Sequence, residues 1–151
     1  MIIREALETD FDQVFEIEKD CFFEPYTKEQ LMYEFHNNPI NKILVAVDDN
    51  TVIGFIDYMI TFNSATISQI AVTKEYRKQG IASNLLREME RTFPKEIDDF
   101  VETVTLEVRE SNSAAIALYE KNGYEFVVTK KNYYKNGENA AYMIKRLLLC
   151  Q

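Results

Sequence analysis

Several residue types that build specialised sites are scarce in this chain of 151 residues. Tryptophan is absent, histidine occurs once, as His36, and the two cysteines, Cys21 and Cys150, stand near opposite ends of the sequence. One histidine and two distant cysteines supply neither a disulfide framework nor the paired ligands of a zinc site. We therefore expect no bound metal, and any acid–base chemistry has to use carboxylates, tyrosines, lysines or thiols.

Long apolar runs are also missing from the sequence. No uninterrupted apolar stretch approaches the roughly 20 residues that span a bilayer. The first ten residues, MIIREALETD, contain acidic side chains and do not resemble a signal peptide. We expect no membrane association and a cytoplasmic location.

Basic residues are outnumbered, with 17 Lys and Arg against 25 Asp and Glu, which gives a formal net charge of −8. Nucleic acids bind basic surfaces, so a nucleic acid partner is not expected. An acidic surface attracts amines and basic peptide tails, but it also serves solubility alone, and the composition does not decide between the two.

The hydrophobic content of 46% is ample for a core, and the length suits one domain over residues 1–151. Alternation, helical spacing and turn residues predict the order β-α-α-β-β-β-α-β-α-β-β, a mixed α/β domain. The strands are predicted at 2–6, 42–48, 51–62, 65–72, 101–109, 124–131 and 138–148. The helices are predicted after Thr9 or Asp10, from Thr27 with a buried stripe of Leu31, Met32 and Phe35, over 81–92, and from Ser111 or Asn112 to Gly123.

The most informative stretch is IAVTKEYRKQGIASNLL, in which a strand runs into a basic turn that opens a helix. The first N–H groups of a helix and the positive end of its dipole bind anions. Gly80 lets the backbone approach a ligand closely, and Arg77 and Lys78 add positive charge. A pyrophosphate fits this environment, although these residues alone also fit a basic loop without a ligand.

A second block, LEVRESNSAAIALYEKNGY at 106–124, follows, and the two blocks in this order resemble the GNAT acetyltransferases. Their R-x-x-G-x-G/A motif matches residues 77–82, with Ala82 at the second glycine. The stretches KNYYKNGENAAYMIK and FFEPYTKEQL are similar to the ribosomal-protein-alanine N-acetyltransferases, although Tyr26 stands where tryptophan is common. The likeness runs from the first strand almost to residue 147.

The resemblance implies a GNAT-like acyl-CoA N-acyltransferase fold, with a mostly antiparallel twisted sheet that splays between the fourth and fifth strands and is flanked by helices. It implies acetyl-coenzyme A as the cosubstrate, no metal, and transfer to the N-terminal amine of a protein such as a basic ribosomal protein tail. It matches Glu107 to the general base and Tyr119 to the general acid. The residues that it matches to coenzyme binding are Ile70, Ala71, Val72, Arg77, Lys78, Gln79, Gly80, Ile81, Ala82, Ser83 and Asn112.

The chemistry of these residue types agrees with those roles. An α-amine has a pKa of about 8 and must lose a proton before it attacks, which a carboxylate can accomplish. A tyrosine hydroxyl can protonate a leaving thiolate, and a backbone N–H from 70–72 can stabilise the charge on a carbonyl oxygen. Without the resemblance, Glu107 also fits a solvated carboxylate and Tyr119 a packed aromatic.

Tyr26, Tyr133 and Tyr134 are candidate acceptor-binding residues. Adjacent strand residues point to opposite faces, so we expect one of Tyr133 and Tyr134 to pack and the other to line a peptide groove. A small amine or a lysine side chain remains an alternative acceptor, and a non-catalytic acyl-CoA-binding module remains an alternative function. We expect a monomer or a weak dimer.

Overall fold

The computed structural model of the protein describes residues 1–94, 96 and 100–147. The predicted order of strands and helices is confirmed, with two short 3-10 helices added at Glu8–Asp10 and Lys74–Tyr76. The end of the last predicted strand, residue 148, and Cys150 lie outside the described residues. The elements are β1 (Ile2–Glu5), α1 (Phe11–Cys21), α2 (Lys28–His36), β2 (Asn41–Asp48), β3 (Thr51–Thr61), β4 (Ser64–Val72), α3 (Ile81–Arg91), β5 (Thr103–Arg109), α4 (Ser113–Lys121), β6 (Glu125–Lys130) and β7 (Ala140–Arg146).

The chain divides into two compact units, of which the first comprises Met1–Met59 and Gln69–Thr92 and the second Ile60–Ser68 and Phe93–Gln151. Strand β4 contributes to both, and the hydrogen-bonded order of the strands is β1-β2-β3-β4-β5-β7-β6. Pairing is antiparallel between β1 and β2, β2 and β3, β5 and β7, and β6 and β7.

The fourth and fifth strands pair in parallel, and only at their beginnings. Within the described residues their ladder joins Ser64–Thr66 to Thr103–Thr105, although β4 continues to Val72 and β5 to Arg109. The expected mostly antiparallel sheet with a splay between these two strands is therefore confirmed.

The core of the first unit forms between α1, α2 and the strands. Val14, Leu31, Val45 and Phe55 are fully buried in it. Thr27 and Gln30 form the predicted capping box at the start of α2, because each side chain bonds the backbone N–H of the other. The prediction that Met32 is buried is wrong: it is exposed, because successive helical residues point about 100° apart and the short helix buries the face of Leu31.

Two carboxylates near the core of the first unit have very different surroundings. Asp10 pairs with Arg4 at 2.7 Å and accepts the N–H of Leu7, so the pKa of Asp10 is lowered, chiefly by Arg4. Asp57 on β3 is fully buried, and neither of its oxygens meets a donor at bonding distance among the described residues. Burial raises the pKa of Asp57 to about 8, and the nearby Asn41 side chain only partly offsets this.

In the second unit β5 alternates as predicted. Val104, Leu106 and Val108 are buried, and the residues between them are half-buried on the opposite face. Asn112 is the residue that caps α4, since its Oδ1 accepts the N–H of Ala115 at 3.2 Å. None of the described helices has the length and apolar character that crossing a membrane requires.

Candidate active site

The end of β4 in the first unit contains three of the predicted coenzyme residues. Ile70 is half-buried, and Ala71 and Val72 are buried. Strand β3 approaches this segment closely at Gly54, where an added Cβ would lie 2.9 Å from the carbonyl oxygen of Ala71. Only glycine fits there without a backbone shift. Sequence analysis missed Gly54, and the available signal was a glycine inside an otherwise apolar strand.

The turn after β4 has the backbone geometry of an anion site. Gly80 has φ +80° and precedes the first residue of α3, and Lys78 also has a positive φ, of 62°. No side chain caps this helix start, and the first helical bond runs from Asn84 N to Gly80 O at 3.0 Å. Since a Cβ at Gly80 would meet nothing within 4 Å, the left-handed backbone alone favours glycine there. The residues present therefore fit a pyrophosphate bound at a helix start.

The predicted phosphate-binding side chains differ in how they are used. The Arg77 guanidinium donates from Nε to the carbonyl oxygen of Val72 at 2.9 Å and from Nη2 to the sulfur of Cys21 at 3.4 Å. Arg77 thus connects the turn to β4 and α1 by hydrogen bonds. Lys78 and Gln79 are exposed, whereas Ser83 is buried in the first turn of α3. Their contacts with a coenzyme stay a prediction.

Glu107, the predicted base, lies on the half-buried face of β5 in the second unit. Its Oε1 accepts a hydrogen bond from Lys130 Nζ at 2.7 Å. This bond raises the pKa of Lys130, which keeps the ammonium charged. The ammonium also lies 4.5 Å from the ring centroid of Tyr142 and 5.7 Å from that of Tyr133. Sequence analysis missed Lys130, which carries no local motif.

The candidate acceptor residues Tyr133 and Tyr134 lie in the connection between β6 and β7. The expectation that they point to opposite faces of a strand is wrong, because β6 ends at Lys130 and a turn with Asn132 at φ +52° follows. Their rings meet edge to face with centroids 5.0 Å apart. Tyr133 is 49% exposed and Tyr134 is half-buried, so Tyr133 is the more accessible of the two.

Tyr119, Tyr133 and Tyr134, which we call the tyrosine group, differ in burial: Tyr119 is buried and Tyr134 is half-buried. The guanidinium of Arg109 lies 4.1 Å from the ring centroid of Tyr134, whose pKa burial raises to about 12. Tyr119, the predicted acid, is 6% exposed in α4 and packs edge to face on Tyr124. Burial, with a smaller effect of Tyr134, raises the pKa of Tyr119. Its hydroxyl therefore stays protonated at neutral pH.

The remaining candidates, Asn112 and Tyr26, have structural roles in their own units. Asn112 uses Oδ1 to cap α4, as described above. The backbone N–H of Tyr26 donates to Glu18 Oε2 at 2.9 Å, and the same oxygen accepts from Gln69 Nε2 at 2.9 Å. Burial raises the pKa of Glu18 to about 7, against the lowering effect of these two bonds. Sequence analysis gave Glu18 no role.

Residues 11–124 match the profile of the Acetyltransferase (GNAT) family. The chain belongs to this family. The predicted resemblance is thereby confirmed, and the protein is an N-acetyltransferase.

The names of several relatives of this GNAT enzyme describe acetylation of a ribosomal protein alanine or of an α-amine. A Bacillus subtilis (strain 168) protein, provisionally named a ribosomal protein bS18-alanine N-acetyltransferase, is 38% identical over 135 residues, which are 89% of this chain and 87% of that protein. An N-alpha-acetyltransferase of Saccharolobus solfataricus is 34% identical and covers 96% of this chain and 92% of its own length. The crystal structure of the Escherichia coli ribosomal-protein-S18-alanine N-acetyltransferase has a TM-score of 0.84 at 26% identity, with coverage of 99% and 96%.

Proposed function

We propose that this GNAT enzyme transfers the acetyl group of acetyl-coenzyme A to the N-terminal amine of a protein, with Glu107 as general base and Tyr119 as general acid. The observation that carries the proposal is a set of side chains in the second unit: a carboxylate on a strand, a buried protonated hydroxyl and two further tyrosines. The relatives that acetylate ribosomal protein alanine or an α-amine support the choice of acceptor.

Glu107 removes a proton from the acceptor ammonium, directly or through water. An α-amine is largely protonated at neutral pH, so this step produces the nucleophile. Lys130 holds Oε1 and fixes the orientation of the carboxylate, and Oε2 is the oxygen that does not bond Lys130. Tyr119, whose hydroxyl is protonated at neutral pH, gives its proton to the departing thiolate as the carbon–sulfur bond breaks.

The first unit contains all of the residues proposed to hold acetyl-coenzyme A except Asn112. Bound there, the coenzyme supplies a thioester whose carbonyl carbon accepts the amine. Lys78–Ser83 offer the open N-terminus of α3 and a left-handed backbone to the pyrophosphate. Ile70, Ala71 and Val72 offer backbone groups to the pantetheine arm, and a backbone N–H among them stabilises negative charge on the carbonyl oxygen.

Acceptor choice depends on three aromatic residues and on charge. Tyr26 on the connection from α1 to α2, with Tyr133 and Tyr134 on the connection from β6 to β7, are the proposed contacts of the acceptor peptide. The net charge of −8 favours a basic tail, such as that of a ribosomal protein. The chain is proposed to act in the cytoplasm as one acetyltransferase domain and as a monomer or weak dimer, without a nucleic acid partner or a metal.

Mass spectrometry of the products tests the proposal. The purified protein is incubated with acetyl-coenzyme A and peptides that begin Ala-Arg, with the same peptides blocked at the N-terminus but carrying an internal lysine, and with a polyamine. We expect one acetyl group on the free N-terminus and none on the blocked peptide. Acetylation of the polyamine or lysine without the free N-terminus would assign the enzyme to small-molecule amines or lysine side chains instead.

A further inference from the structure

Glu18 joins two segments of the first unit that the proposed reaction uses. It lies in the last turns of α1 and is 0% exposed. Its Oε2 accepts two hydrogen bonds of 2.9 Å, one from the backbone N–H of Tyr26 and one from Gln69 Nε2. Tyr26 belongs to the connection between α1 and α2, residues 22–27, which we call the acceptor loop. Gln69 immediately precedes Ile70 on β4.

The other carboxylate oxygen, Glu18 Oε1, is buried and has no hydrogen-bond partner among the described residues. A buried carboxylate with an unpaired oxygen is costly to keep in a protein interior. Because the two bonds to Oε2 are both accepted, a neutral side chain with one well-placed carbonyl oxygen could make them equally well. The arrangement therefore depends on an acceptor atom at this position and not on a negative charge.

Hydrogen bonds also hold both ends of the acceptor loop. Thr27 is fixed by the capping box with Gln30, and Phe22 N donates to the carbonyl oxygen of Glu18 at 3.2 Å. Glu18 Oε2 thus adds a bond to the loop at Tyr26, the residue before the cap of α2. The same oxygen also accepts a hydrogen bond from Gln69. Gln69 is the residue before Ile70, where the end of β4 that is proposed to hold the coenzyme begins.

We propose that Glu18 is a positioning residue for the acceptor: its Oε2 sets the conformation of the acceptor loop relative to the end of β4. This role rests on the proposed function, since it assigns Tyr26 to the acceptor. Glu18 itself does not contact substrate or coenzyme. Loss of Oε2 removes the hydrogen bonds to Tyr26 and Gln69 together and weakens recognition of the acceptor, while the turn around Gly80 keeps its own hydrogen bonds.

The test combines steady-state kinetics with hydrogen exchange in the whole protein. In Glu18→Ala we expect the KM for an N-terminal peptide to rise about tenfold or more, with kcat and the Kd of coenzyme A within about threefold of wild type. Glu18→Gln, which retains a carbonyl acceptor, is expected to restore KM to within about threefold. Gln69→Ala, which removes one of the two bonds, is expected to raise KM less than Glu18→Ala does.

Asp10→Ala is the matched control, because it also removes a buried carboxylate from the first unit and leaves the acceptor loop intact. It is expected to keep the wild-type KM. Amide exchange at Tyr26 gives a readout without turnover: its N–H should be protected in wild type, Glu18→Gln and Asp10→Ala, and lose protection in Glu18→Ala. The folded state of each variant is checked by thermal unfolding.

Three results would overturn the proposal. Glu18→Ala could leave KM and Tyr26 exchange unchanged, or weaken coenzyme binding as much as peptide binding, or Glu18→Gln could be as impaired as Glu18→Ala. Failure of the proposed function has a different signature, because the wild type would then acetylate a small amine and no N-terminal peptide. In that case the KM of the amine is measured in the same variants. Amide hydrogen exchange at Tyr26 then decides whether Glu18 holds the acceptor loop.

Discussion

The turn around Gly80 in the first unit and the tyrosine group around Glu107 in the second are built from different parts of the chain. The turn uses backbone: a left-handed glycine, a second positive φ at Lys78 and an uncapped helix start. The group around Glu107 uses side chains that converge from β5, α4, β6 and the loop before β7. We propose that the first region holds a large anionic ligand and that the second moves protons.

This difference predicts how substitutions should act. A backbone site loses affinity when its φ angles are disturbed, and most of its side chains can change. A side-chain site loses rate when a single titratable atom is removed, and its backbone can tolerate change. Substitutions in the two regions should therefore differ in whether they change rate or affinity.

Asp57 provides a carboxylate that belongs to neither region, and its removal should alter stability without altering rate. With a folded-state pKa of about 8 against an ordinary 3.8, the folded protein binds this proton more tightly than the unfolded chain. The contribution of Asp57 to the stability of the wild type therefore falls as pH rises from about 4 through about 8, and it levels off above that. Asp57→Asn lacks this titration, so its stability relative to wild type should grow by about 4 kcal/mol between pH 5 and pH 8.

Urea unfolding at several pH values measures this difference. Glu18 titrates in both proteins, so its contribution largely cancels, and exposed Asp12→Asn controls for the loss of one negative charge. A constant difference between Asp57→Asn and wild type across this pH range would show that Asp57 is already ionised in the fold. A large loss of kcat would instead place Asp57 in the chemistry.

Glu107→Gln should produce the largest change in rate. Amide nitrogen cannot take the proton of the acceptor, so kcat is expected to fall about a hundredfold or more. The Kd of coenzyme A, measured by calorimetry, should stay within about twofold, because Glu107 is not among the residues proposed to bind the coenzyme. Glu125→Gln, an exposed change on β6, is the matched control and should keep the wild-type rate. Weaker coenzyme binding in Glu107→Gln would contradict the assignment of affinity and rate to different regions.

Tyr119→Phe should lower kcat by about tenfold to a hundredfold, less than Glu107→Gln, since water can also protonate a thiolate. The ring still packs on Tyr124, so the folded state should persist. Tyr33→Phe, on an exposed part of α2, controls for the loss of one hydroxyl. Single-turnover rates with a peptide acceptor measure the effect, and an unchanged rate would remove Tyr119 from the role of acid.

Gly80→Ala should produce the smallest of these effects and only in affinity. A left-handed conformation costs a side-chain-bearing residue roughly 1–2 kcal/mol, so the Kd of coenzyme A is expected to rise about tenfold. The rate at saturating coenzyme should change little. Gly137→Ala carries a similar backbone cost at φ +88°, also with open space around it, and should leave this Kd unchanged. Equal effects of the two substitutions on Kd would assign the loss to general destabilisation.

Most of the fold could be predicted from the sequence because its signals are local. The alternation of β5 and the capping box at Thr27 each depend on a few neighbouring residues, and both are confirmed. The errors arise where a neighbouring element or turn decides. Met32 is exposed because α2 is short and buries one face, and Tyr133 and Tyr134 leave the strand because a turn begins at residue 131.

The candidate site, like the fold, could be predicted only where its residues stand close together in the sequence. The turn around Gly80 is continuous in sequence, so its basic residues and glycine stand together and indicate an anion site. Lys130 lies 23 residues from Glu107, and Gln69 lies 51 residues from Glu18. Such pairs form only when strands and helices pack, and no local pattern distinguishes them. Gly54 is similar, since its need for glycine comes from the carbonyl of Ala71.

A double-mutant cycle with Gly80→Ala and Glu107→Gln tests whether coenzyme binding and proton transfer belong to separate regions. Coenzyme affinity and single-turnover rate are measured for wild type, both single variants and the double variant. We predict that only Gly80→Ala lowers the affinity for coenzyme A and that only Glu107→Gln lowers the single-turnover rate. The double variant should show both losses, each of the same size as in the single variant. A loss of coenzyme affinity caused by Glu107→Gln, or a loss of saturated rate caused by Gly80→Ala, would contradict it.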